Sequence, residues 1–545
     1  GCMCVLKSRK ISREEKRSKH HTFAITDTMR KGGLWIGLGS AAAMAAVAAY
    51  CRRLSKNKVA AEEPPSSGEE DEEGQPLSFF QNMFLNIVST GQDQMNYLLL
   101  LDSSTSSYPT IQELQQAVDT LKREDEALSA AFIYNGIDHP VKIASNETTA
   151  KLSGIVTNIE GSQTWQDILD ECRNTVHFPK PPESQGMVPA WKVFYVPKQG
   201  AIVFAFHHLL FDGTSVKRLH KALLDVLNNK WSSSNETLQS LECVHQAYPL
   251  DSFPTRALWR VVLEMLHRGW IGLRYRKSTW LVRLDPMVTR TVVINNNGNA
   301  RQVFLALTED QTSSLLRACK DHKVTVHSAL SAATSVAVAK IWAPKGIFTP
   351  MVQTRHLISR WRCLPSDIIT KKNLLSGCFV GMATIDVPVE DNDWWSTANK
   401  VQYWMHHHPA AITQPTRNMQ RYFRMQQWLD RFRYGSKVVV INDALKTGGE
   451  VVPAFAISNL GVVNTATSDD KYAIASRYNC SSRHVRPGEL GVLSAQTVNG
   501  RLHLSWNYAS AICTEDRALE LTNVILGVLA GMSGDSTLLA QSIIT

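Results

Sequence analysis

Phe204-Ala205-Phe206-His207-His208-Leu209-Leu210-Phe211-Asp212-Gly213-Thr214-Ser215 ends an apolar run on two histidines and sets an Asp-Gly pair four residues after the second. The run from Ala201 to Phe206 follows Gly200 and is too short for a buried helix, so it reads as a strand covered on both faces. Beyond Gly213, Val216, Leu219, Leu223, Leu224 and Leu227 recur at helical spacing, with Lys217, Arg218, Lys221 and Asp225 among them. Thr214 or Ser215 is expected to cap that helix. The histidines then leave the sheet in the loop between strand and helix, the usual place for an active-site loop.

A neutral imidazole in such a loop can take a proton from a hydroxyl, thiol or amine, because its unperturbed pKa lies near neutral pH. Asp212 can accept a bond from the imidazole, or hold the loop by pairing with an arginine elsewhere. The bland alternative is a capped turn with two polar residues facing water. Two histidines, an aspartate and a glycine together in this local setting favour catalysis.

Other segments fall in a recognisable order. Glu113-Leu114-Gln115-Gln116-Ala117-Val118, continuing through Glu126-Ala127-Leu128 to Phe132, reads as a helix and a strand entry, and Trp191-Lys192-Val193-Phe194-Tyr195-Val196 as the strand before the histidine loop. Later come Val324-Thr325-Val326-His327-Ser328-Ala329-Leu330, Thr354-Arg355, Gly377-Cys378-Phe379-Val380-Gly381 and Ser458-Asn459-Leu460-Gly461. With His-His-x-x-x-Asp-Gly, this set resembles the acyltransferases similar to chloramphenicol acetyltransferase. These include condensation domains of nonribosomal peptide synthesis, plant acyltransferases of the BAHD type and fungal alcohol acetyltransferases. The Ser-Asn-Leu-Gly turn is like that of the alcohol acetyltransferase branch. Cys378 stands where the family commonly has Asn, and the Asp-Phe-Gly-Trp-Gly motif of the plant branch is absent.

The resemblance implies an α/β fold of two chloramphenicol-acetyltransferase-like halves with the active-site cleft between them. It makes His208 the general base, which deprotonates an acceptor that attacks an acyl thioester, most simply acetyl-CoA, and then reprotonates the departing thiolate. Asp212 is implied to be an organiser of the loop, paired with Arg355, beside Gly213. His207 is left as a packing or positioning residue. Asn459 is a candidate oxyanion donor and equally a turn former. Acyl-CoA is thus a co-substrate rather than a bound cofactor, its binding residues are unassigned, and no metal is implied. The expected acceptor is a small-molecule alcohol. N-acylation of an amine or condensation-type amide formation is the alternative within the fold; a catalytically silent, membrane-tethered lipid- or partner-binding module is the alternative outside it.

The chain has 545 residues and 44% hydrophobic content, enough for one large core or two medium ones. Residues 77–285 are read as the N-terminal half and 300–545 as the C-terminal half, with the Asn-rich turn at Asn295-Asn296-Asn297-Gly298-Asn299 near the junction. Gln302 to Leu307 reads as a strand, and Thr308-Glu309-Asp310-Gln311 has capping-box spacing for the next helix. Two aromatic and basic stretches, residues 258–280 and 417–434, read as amphipathic helices packed on the core, with membrane-surface contact as the alternative. Ten cysteines without a Cys-x-x-Cys pair read as buried thiols.

Residues 32–51 carry no charge, lie between Arg30-Lys31 and Arg52-Arg53, and hold Trp35 and Tyr50 near their ends. A helix of that length matches a bilayer core of about 30 Å, so the stretch reads as a transmembrane anchor, with a cleaved targeting segment as the alternative. Gly1-Cys2-Met3-Cys4 resembles the dual-acylation start of Src-family kinases, which makes Gly1, Cys2 and Cys4 candidate lipidation sites on a basic tail, residues 1–31. Residues 52–76 form an acidic Pro/Ser/Gly linker that cannot build a core. The net charge of +9 comes in good part from the tail and speaks for a membrane surface rather than nucleic acid. The catalytic domain is expected to be monomeric and, given coenzyme A supply, cytosolic. The denser basic charge before the span supports a lumenal placement instead.

Overall fold

The computed structural model describes residues 75–76, 94–102, 107–135, 142–174, 185–233, 238, 281–282, 300–342, 351–359, 361, 364, 370–371, 373–390, 393–407, 454–463, 470–481, 490–510 and 513–535. The expected tail, membrane span and nearly all of the linker lie outside these residues, as do residues 258–280 and 417–434. Among the described residues no single helix is long and apolar enough to cross a membrane.

In chain order the first half holds β1 (Gln75–Pro76), β2 (Gln94–Leu101), α1 (Ile111–Glu124), β3 (Ala130–Asn135), β4 (Lys142–Ser145), β5 (Val156–Asn158), α2 (Trp165–Asn174), β6 (Gln185–Pro189), β7 (Trp191–Val196), β8 (Ala201–His207) and α3 (Gly213–Leu227). The remainder of the chain holds β9 (Leu281–Val282), β10 (Ala300–Ala306), α4 (Glu309–Asp321), α5 (Val326–Trp342), β11 (Met351–Ser359), β12 (Val380–Pro388), α6 (Trp394–His407), β13 (Phe455–Val463), β14 (Ile474–Ser481), β15 (Val492–Val498), β16 (Arg501–Ala509) and α7 (Glu515–Ser533); β9 lies within the expected first half, residues 77–285, yet pairs with β11. β1 takes the last two residues of the expected linker and pairs them with β4.

β8 sits between β2 and β7, antiparallel to both, and all seven of its residues are buried. Phe204 and Phe206 join the core that α1 and α3 cover, while Ala201 and Val203 pack with Ile168 and Leu169 of α2 on the other face. The apolar run is therefore a strand with two covered faces, as its composition indicates. Gly200 makes the turn into it at φ +58, a left-handed conformation that disfavours any side chain.

The five-stranded sheet runs β14-β2-β8-β7-β5. Its edge strand β14 comes from the second half of the sequence and pairs antiparallel with β2, so the two halves share a sheet. The second sheet follows the path β10-β16-β15-β13-β11-β12, with β9 on β11, and a smaller sheet runs β1-β4-β3-β6. Alternation along the second sheet turns Phe455, Ile457, Leu493, Leu504 and Trp506 into one core with α5 and α7. Residues of opposite parity face β14: Ser505 Oγ donates to the Asn479 carbonyl at 2.7 Å, and Gln496 meets Arg477.

Local capping chemistry sets the helix starts. Thr308 and Gln311 form the expected capping box, with Thr308 N–H donating to Gln311 Oε1 at 2.9 Å and Gln311 N–H to Thr308 Oγ1 at 3.2 Å. On α3 the expectation is corrected. Asp212, not Thr214 or Ser215, is the N-cap, its carboxylate accepting from the Thr214 and Ser215 N–H groups, while Ser215 Oγ accepts from the Asp212 N–H. A carboxylate at this position also complements the positive end of the helix dipole.

Candidate active site

Two segments far apart in sequence run side by side at the end of β8. Phe211 and Gly377 form a parallel bridge, and the Gly377 N–H donates to the Leu210 carbonyl at 2.7 Å. Two buried carboxylates hold this seam from opposite ends. Asp125, after α1, accepts from the N–H groups of Leu375 and Ser376, both at 2.8 Å, and from Ser376 Oγ at 3.0 Å. Asp212 accepts from the Phe379 N–H at 2.8 Å.

Asp212 has four donors: the Thr214, Ser215 and Phe379 N–H groups at 2.8 Å, and the Trp361 indole, at 3.1 Å from Oδ1 and 3.0 Å from Oδ2. Burial pushes its carboxyl above the usual range, and these hydrogen bonds pull the other way. The expected ion pair with Arg355 is not the one formed. Arg355 is buried on β11, in register with Thr384 and Ala456, and backbone and indole N–H groups occupy the carboxylate instead. Asp212 thus joins the start of α3 to Phe379 and Trp361 through neutral donors. The face of β11 that holds Arg355 also holds Ser359, whose hydroxyl lies 3.1 Å from that of Thr214, so β11 does reach the start of α3.

His207 is buried, its ring lies 4.0 Å from that of Phe132, and its Nδ1 accepts from the Leu209 N–H at 3.4 Å. Burial, helped by the neighbouring His208, lowers its pKa to about 3, so it stays neutral at physiological pH. His208 is half-buried at the first residue past the strand. Its Nδ1 lies 3.8 Å from the Cys378 sulfur, contributed by the partner segment of the seam.

Gly213 packs against the turn that Asn459 forms. A Cβ on Gly213 would lie 2.2 Å from Leu460 Cδ2, so a side chain there obliges the end of the Leu460 side chain to shift. Asn459 Oδ1 accepts from the Gly461 N–H at 2.9 Å, the turn-forming role, at an irregularity in the pairing of β13 with β15. Lys217 then donates to the Leu460 carbonyl at 3.2 Å. Behind α3, the buried Arg477 of β14 donates from Nε to His220 Nδ1 at 3.0 Å and stacks over Tyr97 at 4.8 Å.

The structure thus brings His207, His208, Asp212 and Gly213 together with the Asn459 turn, and adds residues the sequence reading did not single out. Trp361 and Asp125 carry no local motif; only an alignment of buried carboxylates with distant partners could have revealed them. Gly1, Cys2 and Cys4 lie outside the described residues.

A family model described as alcohol acetyltransferase matches residues 170–478, more than half of the chain and both segments of the Phe211–Gly377 bridge. No curated protein sequence matches the chain. Among solved structures it is similar to the epimerization domain from the third module of tyrocidine synthetase B, at 13% identity and TM-score 0.54, over 87% of this chain and 99% of that one. The first condensation domain of the CDA synthetase matches at 13% identity and TM-score 0.55, over 87% and 99%. A trichothecene 15-O-acetyltransferase from Fusarium sporotrichioides matches at 11% identity and TM-score 0.57, over 86% and 97%. At such identities these likenesses establish the two-lobed α/β fold alone. The family match, which spans β8, the histidine loop, Cys378 and the Asn459 turn, adds acyl-group transfer as the general chemistry: the chain belongs to the alcohol acetyltransferase family.

Proposed function

We propose that the protein transfers an acyl group, acetyl in the simplest case, from acyl-CoA to an alcohol hydroxyl, with His208 as general base. The observation that carries this reading is the placement of His208 at the end of a fully buried strand, on a loop tied through Asp212 to both α3 and the 375–379 segment. A base carried on such a loop keeps its orientation toward the acceptor, as general-base catalysis requires. The acceptor O–H gives its proton to the imidazole as oxygen attacks the thioester carbonyl. The tetrahedral intermediate collapses with cleavage of the C–S bond, and the imidazolium returns the proton to the thiolate, so the products are an ester and free CoA.

Full-length protein incubated with acetyl-CoA and a panel of 1-octanol, geraniol and primary amines tests the reading by thiol release and product mass. His208→Ala should lower turnover by about 10²- to 10⁴-fold, the range general-base catalysis supplies. Equal CoA release by mutant and wild type with every acceptor would defeat it. Amide products without esters would move the assignment to N-acylation. The membrane tether read from residues 32–51 belongs to the same proposal and is supported by their length, lack of charge and flanking basic residues.

A further inference from the structure

We propose that Cys378 is a positioning residue for His208: its sulfur accepts the Nδ1 proton and so holds the imidazole in the tautomer whose Nε2 carries the basic lone pair. This rests on the reading of His208 as the base. The starting observation is the 3.8 Å approach of the Cys378 sulfur to His208 Nδ1, within hydrogen-bond range for sulfur. The contact is built rather than incidental, because the backbone on both sides of Cys378 is tied to the histidine loop. Gly377 N–H donates to the Leu210 carbonyl at 2.7 Å and Phe379 N–H to Asp212 Oδ2 at 2.8 Å. Cys378 lies between those two anchors, and the residue is only 1% exposed.

The chemistry of the pair follows from its two arrangements. If the thiol donated to Nδ1, Nε2 would hold the imidazole proton and could not receive one from a hydroxyl. If Nδ1 donates to sulfur, Nε2 is the base. Sulfur is a weak, neutral acceptor, so it orients the ring without the charge that a carboxylate would bring. Of the neighbouring titratable groups described, His207 is held uncharged by burial, and the Asp212 carboxylate is directed to Trp361 and to backbone N–H groups.

The test is long-range proton–nitrogen NMR on the full chain labelled with ¹⁵N-histidine, with the His208 resonances assigned by their loss in His208→Gln. Above the pKa, wild-type His208 should show a protonated Nδ1 and an unprotonated Nε2. Cys378→Ala should shift the population toward the Nε2–H tautomer and lower the His208 pKa; Cys378→Ser should keep the wild-type tautomer. With any acceptor that turns over, Cys378→Ala should lose about tenfold in kcat with KM little changed, and Cys378→Ser should recover most of it. An Nε2–H tautomer in the wild type, read without any variant at position 378, would overturn the inference. So would an unchanged tautomer and pKa in Cys378→Ala. Failure here, with His208→Ala inactive, removes only the role of Cys378. Full activity in His208→Ala removes the base assignment itself, whatever the tautomer.

Discussion

The indole N–H of Trp361 points at both carboxylate oxygens of Asp212, at 3.1 and 3.0 Å, and joins residues 149 positions apart in the chain. Both side chains are buried, and the Trp361 ring is covered on one face by the Arg218 guanidinium at 5.0 Å. Trp361→Phe removes the donor and keeps most of the ring volume. It should cost about 1.5–3 kcal/mol, as for a hydrogen bond to a charged group, read from urea unfolding. Asp212→Asn should cost more, because the amide turns an NH₂ toward groups that are themselves donors. A loss below about 0.5 kcal/mol in Trp361→Phe would mean that the indole is not holding the carboxylate.

Asp125 supports the other end of the seam. Its carboxylate accepts from Leu375, Ser376 and Ala127, and Asp125→Ala leaves those buried donors without an acceptor. The expected result is a destabilisation of about 2–4 kcal/mol together with a fall in kcat, although Asp125 touches neither His208 nor Cys378 through any hydrogen bond described above. Measuring both on the same preparation separates the two effects. Unchanged kcat in the folded fraction would show that the 375–379 segment keeps its place without Asp125.

Gly213→Ala puts a methyl group 2.2 Å from Leu460 Cδ2. Overpacking of this kind costs about 1–3 kcal/mol when the neighbour cannot give way. Leu460→Ala should relieve it, so a double-mutant cycle on stability should show a favourable coupling of about 1 kcal/mol or more. Simple additivity would place Leu460 away from α3.

Several buried histidines make the fold sensitive to acid. Burial lowers His207 to about 3 and His503 to about 4, and holds His220 well below its ordinary value. Their folded pKa values lie below those of the unfolded chain, so the unfolded state binds more protons as the pH falls. Stability is complete above about pH 6.5 and is lost below it, down through about 4 for His503 and about 3 for His207, at roughly 1.4 kcal/mol per pH unit for each histidine involved. His503 is the informative site, since both of its ring nitrogens are buried without hydrogen-bond partners among the described residues. His503→Phe should leave stability at pH 7 equal or improved and flatten its fall between pH 6.5 and 4. An unchanged slope would show that His503 is not a contributor.

Residues 1–72 are expected to hold the protein on membranes. Full-length protein should sediment with membranes and resist extraction by carbonate, and a chain lacking these residues should remain in the supernatant. Recovery of the full-length protein in the supernatant would remove the tether from the proposal.

Much of the local structure is legible in the sequence because its causes are local. The burial of β8 follows from an apolar run with no polar interruption, and the capping box of α4 from Thr308 and Gln311 three positions apart. The histidine loop is legible for the same reason, as a polar pair where a strand must end. The cap of α3, Asp212, lies two or three residues before the expected Thr214 or Ser215, which stand in the first turn and donate their N–H groups to it. A carboxylate can serve as a helix cap and a distant acceptor together, and it has enough lone pairs for both.

By itself the sequence determined the strand, the histidine loop, the helix behind it and the family. Each rests on interactions spanning a few residues or on a motif of fixed spacing. Only the tertiary structure decided what surrounds the imidazole. Phe379 reaches Asp212 across 167 positions, Leu375 reaches Asp125 across 250, and Cys378 is carried to His208 by these contacts. No periodicity or spacing encodes such pairs. A buried carboxylate accepts whichever donors the chain crossings bring within reach, and those crossings, including the passage of β14 into the first sheet, are set by how the whole core packs.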